Sequence, residues 1–325
     1  MRRIVVTDSN YPDLAHELAV AAKHGATLEE ARCTSPEEVV HAARGADVLL
    51  VQFAQVTRKA IDVMAANAAI VRYGVGLDNI DVSAAQCRGV RVAYVPDYAT
   101  GEVADHTVAL ILAALRRIIP LDRSVRHGKW DSVEICRPIQ SFAHSVVGIV
   151  GFGRIAREVH ARLQSFGFSS VVSDPYADET VLHRLHARAV DLDTLFAIAD
   201  VVTLHAPLVE TTKHLADARR LGLMKPTAFI VNTARGALID TDALEELLQS
   251  KRIGGAALDV FEEEPLPARS ILQNLPNVIL TPHAAWYSIQ SLERLQMLAA
   301  DEVDRHLSGR PARYPAPNPT SASVD

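Results

Sequence analysis

The stretch VVGIVGFGRIAREV, residues 146–159, decides the fold of this chain. Its apolar start predicts a buried strand, its GFG sequence predicts a tight turn, and the residues that follow have a helical pattern. Gly151 allows the tight turn and Gly153 allows another group to approach the backbone closely. Ala156 is small enough for close helix packing, although a third glycine is more usual at its position. This strand-turn-helix unit predicts an open, parallel α/β sheet.

The same turn predicts a nucleotide-binding site, because the N-terminus of the following helix would face an anion such as a pyrophosphate. The next predicted strand ends in Asp174, 23 residues after Gly151. A carboxylate at this position can bind the ribose 2′-hydroxyl and would repel the 2′-phosphate of NADP. The sequence therefore predicts NAD as the cofactor, bound by Gly151, Gly153, Arg154, Ile155 and Asp174. The adjoining PY dipeptide is explained equally well by an adenine contact and by a structural turn.

Strand and helix patterns alternate on both sides of this unit, first over residues 1–98 and again after a helix pattern at 101–118. Two alternations predict an α/β fold with two doubly wound parallel-sheet domains, a Rossmann domain inserted in a flavodoxin-like one. The expected boundaries are residues 1–99 with 287–310 for a discontinuous substrate-binding domain, 100–286 for the NAD-binding domain, and 311–325 for a disordered tail. A helix pattern near 287–308 is expected to fold back onto the first domain.

Composition limits the classes of function. The 325 residues are 49% hydrophobic and 22% charged, and the formal net charge is −6. The negative charge argues against nucleic-acid binding, and no apolar run is long enough for a membrane span. The three cysteines show neither disulfide nor zinc-ligand spacing, so no metal is expected and a reducing cytoplasm fits best.

Three charged side chains follow successive predicted strands of the second domain. They are Arg235 in NTARG (232–236), Glu264 in FEEEPLP (261–267) and His283 in TPHAAWYS (281–288). Singly, each could be a surface salt bridge, a solvated loop carboxylate or an ordinary loop histidine. Together, at the edge of the sheet where the nicotinamide must lie, they supply an anion clamp, a carboxylate and a proton donor. Hydride transfer to a 2-keto acid requires such a set.

The chain resembles the D-isomer-specific 2-hydroxyacid dehydrogenases, the family that includes D-3-phosphoglycerate dehydrogenase, and is most similar to its C-terminal-binding-protein branch. The matching stretches are RYGVGLDNID (72–81), VADHTVALIL (103–112), GIVGFGRIA (148–156), VNTARGALID (231–240), GGAALDVFEEEP (254–265) and TPHAAWYS (281–288). Residues 1–69 match only in general character.

The resemblance implies an NAD-dependent 2-hydroxyacid dehydrogenase. Arg235 would bind the substrate carboxylate and keto oxygen, His283 would protonate the carbonyl oxygen, and Glu264 would orient His283 and favour its charged form. The backbone amides of Val75 and Gly76 would bind the carboxylate from the other domain, with domain closure completing the site. Further cofactor contacts are implied for Thr107, His205, Pro207, Thr212, Thr233, Ala234 and Asp259.

The resemblance also places Arg72 and Trp286 on opposite sides of the substrate pocket. An indole wall would favour 2-keto acids with unbranched or thioether side chains over pyruvate. Alternatively, Trp286 only packs the hinge between the domains.

The sequence is compatible with two biological roles. The first is a catalytic dehydrogenase that takes a small 2-keto or 2-hydroxy acid. The second is an NAD(H)-sensing, corepressor-like scaffold with weak or no dehydrogenase activity, because the branch named above contains corepressors. The apolar helix 101–118 and the arm-like segment 119–145 resemble dimer-forming elements of the family, so a homodimer is expected.

Overall fold

A computed structural model describes residues 1–317, which fall into two compact units. Unit 1 contains Met1–Ala99 and the described residues from Tyr287 onward, and unit 2 contains Thr100–Trp286. Each unit is built around its own parallel sheet.

The described residues contain twelve strands and thirteen α-helices. The strands are β1 (Arg3–Val6), β2 (Thr27–Glu30), β3 (Val48–Val51), β4 (Ala69–Arg72), β5 (Arg91–Ala93), β6 (Val146–Val150), β7 (Ser169–Ser173), β8 (Arg188–Ala189), β9 (Val201–Leu204), β10 (Phe229–Asn232), β11 (Gly255–Leu258) and β12 (Val278–Leu280). The helices are α1 (Ala15–Lys23), α2 (Pro36–Ala43), α3 (Arg58–Asp62), α4 (Val82–Arg88), α5 (Thr100–Leu115), α6 (Ile118–Arg126), α7 (Ser132–Cys136), α8 (Arg154–Gln164), α9 (Glu179–Arg184), α10 (Leu192–Ile198), α11 (Ala218–Leu221), α12 (Thr241–Gln249) and α13 (Ile289–Leu307).

Unit 1 has a five-stranded sheet in the order β2-β1-β3-β4-β5, which is the flavodoxin-like order. All its strand pairs are parallel. The inner strand β3 reads VLLV and is buried throughout, because helices cover both faces of a parallel sheet. The edge strand β2 reads TLEE and is largely exposed. Helix α13 packs against α1 and β4 within this unit.

Unit 2 has a seven-stranded parallel sheet in the order β12-β11-β10-β9-β6-β7-β8. The order reverses between β6 and β9, and ligands of open α/β sheets bind beyond the carboxyl ends of the strands at such a point. The four central strands β9, β6, β10 and β11 are almost wholly buried. The predicted fold class is confirmed.

Two details of the predicted organisation are wrong. The helix predicted over 101–118 ends as α5 at Leu115, and Arg117 takes a left-handed conformation with φ of 56° before α6 begins. The disordered tail was expected from residue 311, but residues 313–316 are hydrogen-bonded. The backbone N–H groups of Arg313 and Tyr314 donate to the buried Glu302 carboxylate, and Ala316 N–H donates to the Val92 carbonyl. The rest of the predicted tail, 318–325, lies outside the described residues.

Candidate active site

The glycine turn between β6 and α8 has the geometry that a dinucleotide requires. Gly151 has a φ of 81°, and a Cβ atom there would lie 2.9 Å from the backbone nitrogen of Ala206, so no larger residue fits. A Cβ atom on Gly153 would meet no atom within 4 Å, so a ligand can approach this backbone. Ala156 is fully buried, as expected for a position of close helix packing.

Backbone donors are available at the start of α8, an eleven-residue helix. Within residues 1–317, no protein group accepts a hydrogen bond from the N–H of Gly153 or Ile155. These groups belong to the first helical turn, whose N–H groups have no intrahelical acceptor. Together with the open space over Gly153, they fit a pyrophosphate.

Asp174 lies directly after β7, at the same edge of the sheet. One carboxylate oxygen accepts a hydrogen bond of 2.6 Å from the N–H of Phe152, and the other accepts one of 2.8 Å from the N–H of Tyr176. A carboxylate has about four acceptor positions, so both oxygens can also accept from ribose hydroxyl groups. The two backbone bonds fix the carboxylate beside the glycine turn.

The loop after β9 carries three of the residues assigned to the cofactor. His205 Nε2 lies 3.0 Å from the hydroxyl oxygen of Thr203, and desolvation lowers the pKa of His205 to about 4. His205 is therefore neutral near pH 7. The Thr212 hydroxyl accepts from the N–H of Val209 and lies 2.6 Å from the carbonyl oxygen of Pro207, which closes the loop.

Thr107 and Thr233 are brought together although they are far apart in the sequence. Their hydroxyl oxygens are 2.7 Å apart, and the Thr107 hydroxyl donates to the Val103 carbonyl. Thr107 is completely buried, so it supports Thr233 from within the domain. A direct cofactor contact by Thr107 remains a prediction.

The loop after β10 is held by Asn232, which is buried. Its side chain accepts a hydrogen bond from the N–H of Ala234 and donates one to the carbonyl of Arg235. A Cβ atom on Gly236 would lie 1.9 Å from the carbonyl carbon of Phe261. Glycine at this position therefore lets the loop carrying Arg235 approach the loop carrying Glu264.

His283 is positioned by the carboxyl ends of β11 and β12. Its N–H donates to the carbonyl of Asp259 at 2.7 Å, and its φ is 52°. The fully buried Asp259 carboxylate accepts from the Thr281 hydroxyl and from the N–H groups of Ala284 and Ala285, at 2.6 to 2.9 Å. Asp259 thus organises the loop on both sides of His283.

His283 and Glu264 form a close pair. His283 Nδ1 lies 2.7 Å from one carboxylate oxygen of Glu264, and the other oxygen accepts from the N–H of Phe261 at 2.9 Å. Desolvation raises the pKa of Glu264, but the His283 hydrogen bond and charge, the Phe261 N–H and Arg235 outweigh it, so the pKa is lowered. An ionised carboxylate can only accept, so Nδ1 of His283 carries the shared hydrogen and Nε2 is left for a ligand.

Trp286 is hydrogen-bonded to the loop that carries His283. Its indole N–H donates to the carbonyl of His283 at 2.9 Å, and its side chain is partly exposed. The bond fixes one edge of the indole beside His283, which fits both a pocket wall and a packing role.

His106 was not predicted as a site residue. Its Nε2 lies 3.1 Å from the Thr281 hydroxyl oxygen and 3.6 Å from a carboxylate oxygen of Asp259. The only signal in the sequence was its position beside Thr107 in the quoted stretch VADHTVALIL. Contact with the loop around His283 depends on the packing of α5 and could not be read from that pattern.

The remaining predicted substrate residues lie in unit 1, in the loop after β4. Arg72 Nε donates to the Asn79 side chain at 3.1 Å, and the guanidinium also donates to the Tyr73 carbonyl. Gly74 has a φ of 142°. Within residues 1–317, no protein group accepts from the N–H of Val75 or Gly76, and Val75 is exposed.

No helix of residues 1–317 is long and apolar enough to cross a membrane. In the same residues, no group of three or more His, Cys, Asp and Glu side chains is arranged to hold a metal ion.

The glycine turn, Asp174 and the loops at one sheet edge define a dinucleotide-dependent oxidoreductase. Residues 108–285 match the family model for the NAD binding domain of D-isomer specific 2-hydroxyacid dehydrogenases. The chain belongs to this family, and it is an NAD-dependent oxidoreductase that acts on CH–OH groups. Its cofactor is NAD. Placement in the C-terminal-binding-protein branch remains a prediction.

Named relatives support this membership. A glyoxylate reductase of Thermofilum pendens is 38% identical over 85% of this chain and 82% of its own length. A D-3-phosphoglycerate dehydrogenase of Methanocaldococcus jannaschii is 37% identical over 95% of this chain, which spans 58% of that relative's length. A crystal structure of a D-lactate dehydrogenase from Aquifex aeolicus with NAD and lactic acid has a TM-score of 0.84 and 28% identity, covering 94% of this chain and 96% of its own.

Proposed function

We propose that this protein reduces a 2-keto acid to the D-2-hydroxy acid with NADH, with His283 as the proton donor. Bound NADH would supply the hydride for the carbonyl carbon. The carbonyl oxygen would take a proton from His283 Nε2, so one keto acid, one NADH and one proton give one hydroxy acid and one NAD⁺. The 2.7 Å pair between His283 and Glu264 carries this proposal, because it leaves Nε2 as the nitrogen that can face a substrate.

Arg235 is proposed to bind the substrate carboxylate and keto oxygen. A guanidinium can donate two parallel hydrogen bonds to a carboxylate. Arg235 also contributes to the lowered pKa of Glu264, which supports its closeness to the catalytic pair. The N–H groups of Val75 and Gly76 are proposed as further carboxylate donors, and the lack of protein acceptors for them within residues 1–317 supports this role.

A panel of 2-keto acids tests the proposed function. Oxidation of NADH by at least one of them is expected, with a higher kcat/KM for an unbranched or thioether side chain than for pyruvate. If Trp286 forms the pocket wall, Trp286→Ala should lower kcat/KM for the longer acid alone. Equal loss for both acids, or none for either, would leave Trp286 as a packing residue. Tight NADH binding without oxidation by any acid would favour a sensing scaffold.

Glu264→Gln should leave partial activity and shift the pH dependence. The Glu264 carboxylate would stabilise the positive charge of the proton donor, and the neutral amide of glutamine removes an interaction that favours the form needed for reduction. We expect kcat for reduction to fall about tenfold, the scale of one hydrogen bond to a charged group, and to fail at lower pH than in the wild type. The measurement is the pH profile of kcat.

The matched control for this substitution is Glu262→Gln. Glu262 makes a similar bond of 2.6 Å to His214 in the same unit but has no proposed catalytic role. An unchanged pH profile in Glu264→Gln, or an equal shift in the control, would rule out the proposed positioning role of Glu264.

Asp174 is expected to make the protein prefer NADH over NADPH. Two unit charges 4 Å apart repel by about 1 to 4 kcal/mol, depending on solvent screening, which predicts a preference of at least about fivefold. Asp174→Asn should shrink the preference, because it removes the charge and keeps one acceptor for the loop N–H groups. Dissociation constants for both cofactors provide the measurement.

Asp178→Asn is the control, because Asp178 lies four residues away and caps α9. Equal affinity of the wild type for NADPH and NADH would contradict the role of Asp174.

A homodimer is proposed on the basis of an exposed apolar surface in unit 2. Four large hydrophobic side chains of residues 118–133 are more than half exposed: Ile118, Val125, Trp130 and Val133. Apolar side chains grouped on a surface are typical of a protein interface. Sedimentation equilibrium should give twice the chain mass of 35.3 kDa. A single-chain mass at micromolar concentration would contradict a stable dimer.

A further inference from the structure

Helix α1 carries a buried acid, Glu17, which is 1% exposed. One of its carboxyl oxygens accepts a hydrogen bond of 2.8 Å from the hydroxyl of Tyr73, which is 2% exposed. Within residues 1–317 the other oxygen has no hydrogen-bond partner. Burial raises the pKa of Glu17. An apolar pair of the same size would serve folding about as well, so stability alone does not account for this pair.

Tyr73 links the buried acid to the loop after β4. Its N–H donates to the carbonyl of Val51 in β3 at 2.8 Å. Its ring meets the ring of Tyr11 edge-on, with the two centroids 4.9 Å apart. Because its hydroxyl is bound to Glu17, Tyr73 is fixed at its backbone, at its ring and at the tip of its side chain.

Tyr73 also precedes the N–H groups that are proposed to bind the substrate carboxylate. The next residue, Gly74, has a φ of 142°, and its carbonyl accepts from the N–H of Val95 at 3.0 Å. Val75 and Gly76 follow, and adjoining Cα atoms are only about 3.8 Å apart. A rotation at Tyr73 therefore changes the directions in which these two N–H groups point. Misaligned hydrogen bonds weaken steeply, so the orientation of the loop affects its affinity for a carboxylate.

We propose that Glu17 is a positioning residue for the substrate: by holding the Tyr73 hydroxyl, it fixes the loop that binds the substrate carboxylate. This role rests on the proposed function, because Val75 and Gly76 are taken as the carboxylate donors. Glu17 and Tyr73 are both buried, so they act through the loop and not by touching the substrate. All 2-keto acids carry the same carboxylate, so loss of the bond should weaken all of them by the same factor.

Tyr73→Phe tests the proposal, because it removes the hydroxyl and keeps the ring. KM should rise about three- to tenfold, the scale of one hydrogen bond between neutral groups. The factor should be the same for pyruvate and for a longer, unbranched 2-keto acid. By contrast, kcat and the dissociation constant of NADH should change less than about twofold, because the loop binds the carboxylate equally in the substrate and in the transition state.

Variants of Glu17 show whether the bond itself matters. Glu17→Leu removes the acceptor at similar volume and should raise KM as much as Tyr73→Phe does. Glu17→Gln keeps one acceptor for the Tyr73 hydroxyl, so its KM should stay close to that of the wild type. The double variant Glu17→Leu/Tyr73→Phe should be no worse than either single variant, because both substitutions remove the same bond.

Val39→Ala is the matched control for lost stability. Val39 is fully buried in α2 of the same unit, and α2 packs chiefly on α3. Shortening a buried side chain lowers the melting temperature, and here it should leave KM unchanged. The control separates a positioning role of Glu17 from a general loss of stability in this unit.

Hydrogen exchange of the Val95 amide reports on the loop without any turnover. This N–H donates to the carbonyl of Gly74, and local opening of the loop would expose it to exchange. It should therefore exchange faster in Tyr73→Phe and in Glu17→Leu than in the wild type.

Four results would overturn the proposal. They are an unchanged KM in Tyr73→Phe, an equal rise of KM in Val39→Ala, a rise that differs between pyruvate and the longer acid, and unchanged exchange of the Val95 amide. Failure of the proposed function would look different, because the wild type itself would then reduce no 2-keto acid. The exchange rate alone would in that case decide whether Glu17 holds the loop.

Discussion

His283→Ala should lower keto-acid reduction by about 100- to 10,000-fold, the usual contribution of a general acid. NADH binding should change little, because the cofactor is expected to contact the glycine turn and Asp174 rather than the imidazole. The measurements are kcat for the reduction of one keto acid and the dissociation constant of NADH, both made on the same preparation of the wild type and of the variant. Turnover above about a third of the wild-type value would require another proton donor.

The backbone conformation of His283 makes asparagine a better substitution than alanine for a second test. His283 has a φ of 52°, a conformation that costs alanine roughly 1 kcal/mol and that asparagine tolerates. His283→Asn should therefore keep the loop conformation and lose activity to the same extent. His214→Asn is the matched control, because His214 has a φ of 50° and its own carboxylate partner, Glu262. A similar loss in the control would indicate loop damage rather than loss of the proton donor.

Arg235→Gln should lower kcat/KM for keto acids by roughly 100-fold or more. The proposed role involves at least two charge-assisted hydrogen bonds, each about 1.5 to 3 kcal/mol, and every 1.4 kcal/mol corresponds to tenfold. Glutamine retains hydrogen-bonding groups but has no charge. Steady-state kinetics with one keto acid over a range of concentrations provides the measurement, and much of the effect should appear in KM.

Arg269→Gln is the control for this prediction. Arg269 is an exposed arginine of the same unit that pairs with Glu263 on the surface. It should retain wild-type kcat/KM. A fall of less than about threefold in Arg235→Gln, well below the loss of one charge-assisted bond, would exclude Arg235 as the carboxylate clamp.

Much of this architecture could be predicted because local patterns and topology agree. The GFG turn after an apolar run predicts a strand, a tight turn and a helix, and the structure has β6 and α8 there. The carboxyl ends of parallel strands meet at one edge. Residues that directly follow strands, such as Arg235 and His283, could therefore be expected near each other without knowledge of their contacts. The His283–Glu264 bond has the predicted partners.

Other features depend on packing that no local pattern encodes. The Pro- and Ser-rich composition after residue 310 predicts disorder, yet Arg313 and Tyr314 donate to Glu302, a buried carboxylate whose pKa is raised by desolvation. The helical pattern around Glu302 does not show that its carboxylate is buried and requires hydrogen-bond donors.

One hydride and one proton are proposed to convert a 2-keto acid into the D-2-hydroxy acid. Chiral chromatography of the product, combined with the amount of NADH oxidised, tests this claim most directly. We predict one D-2-hydroxy acid formed for each NADH consumed by the wild type, with no L isomer. Formation of the L isomer, or binding of NADH without any hydroxy acid produced from the panel, would contradict it.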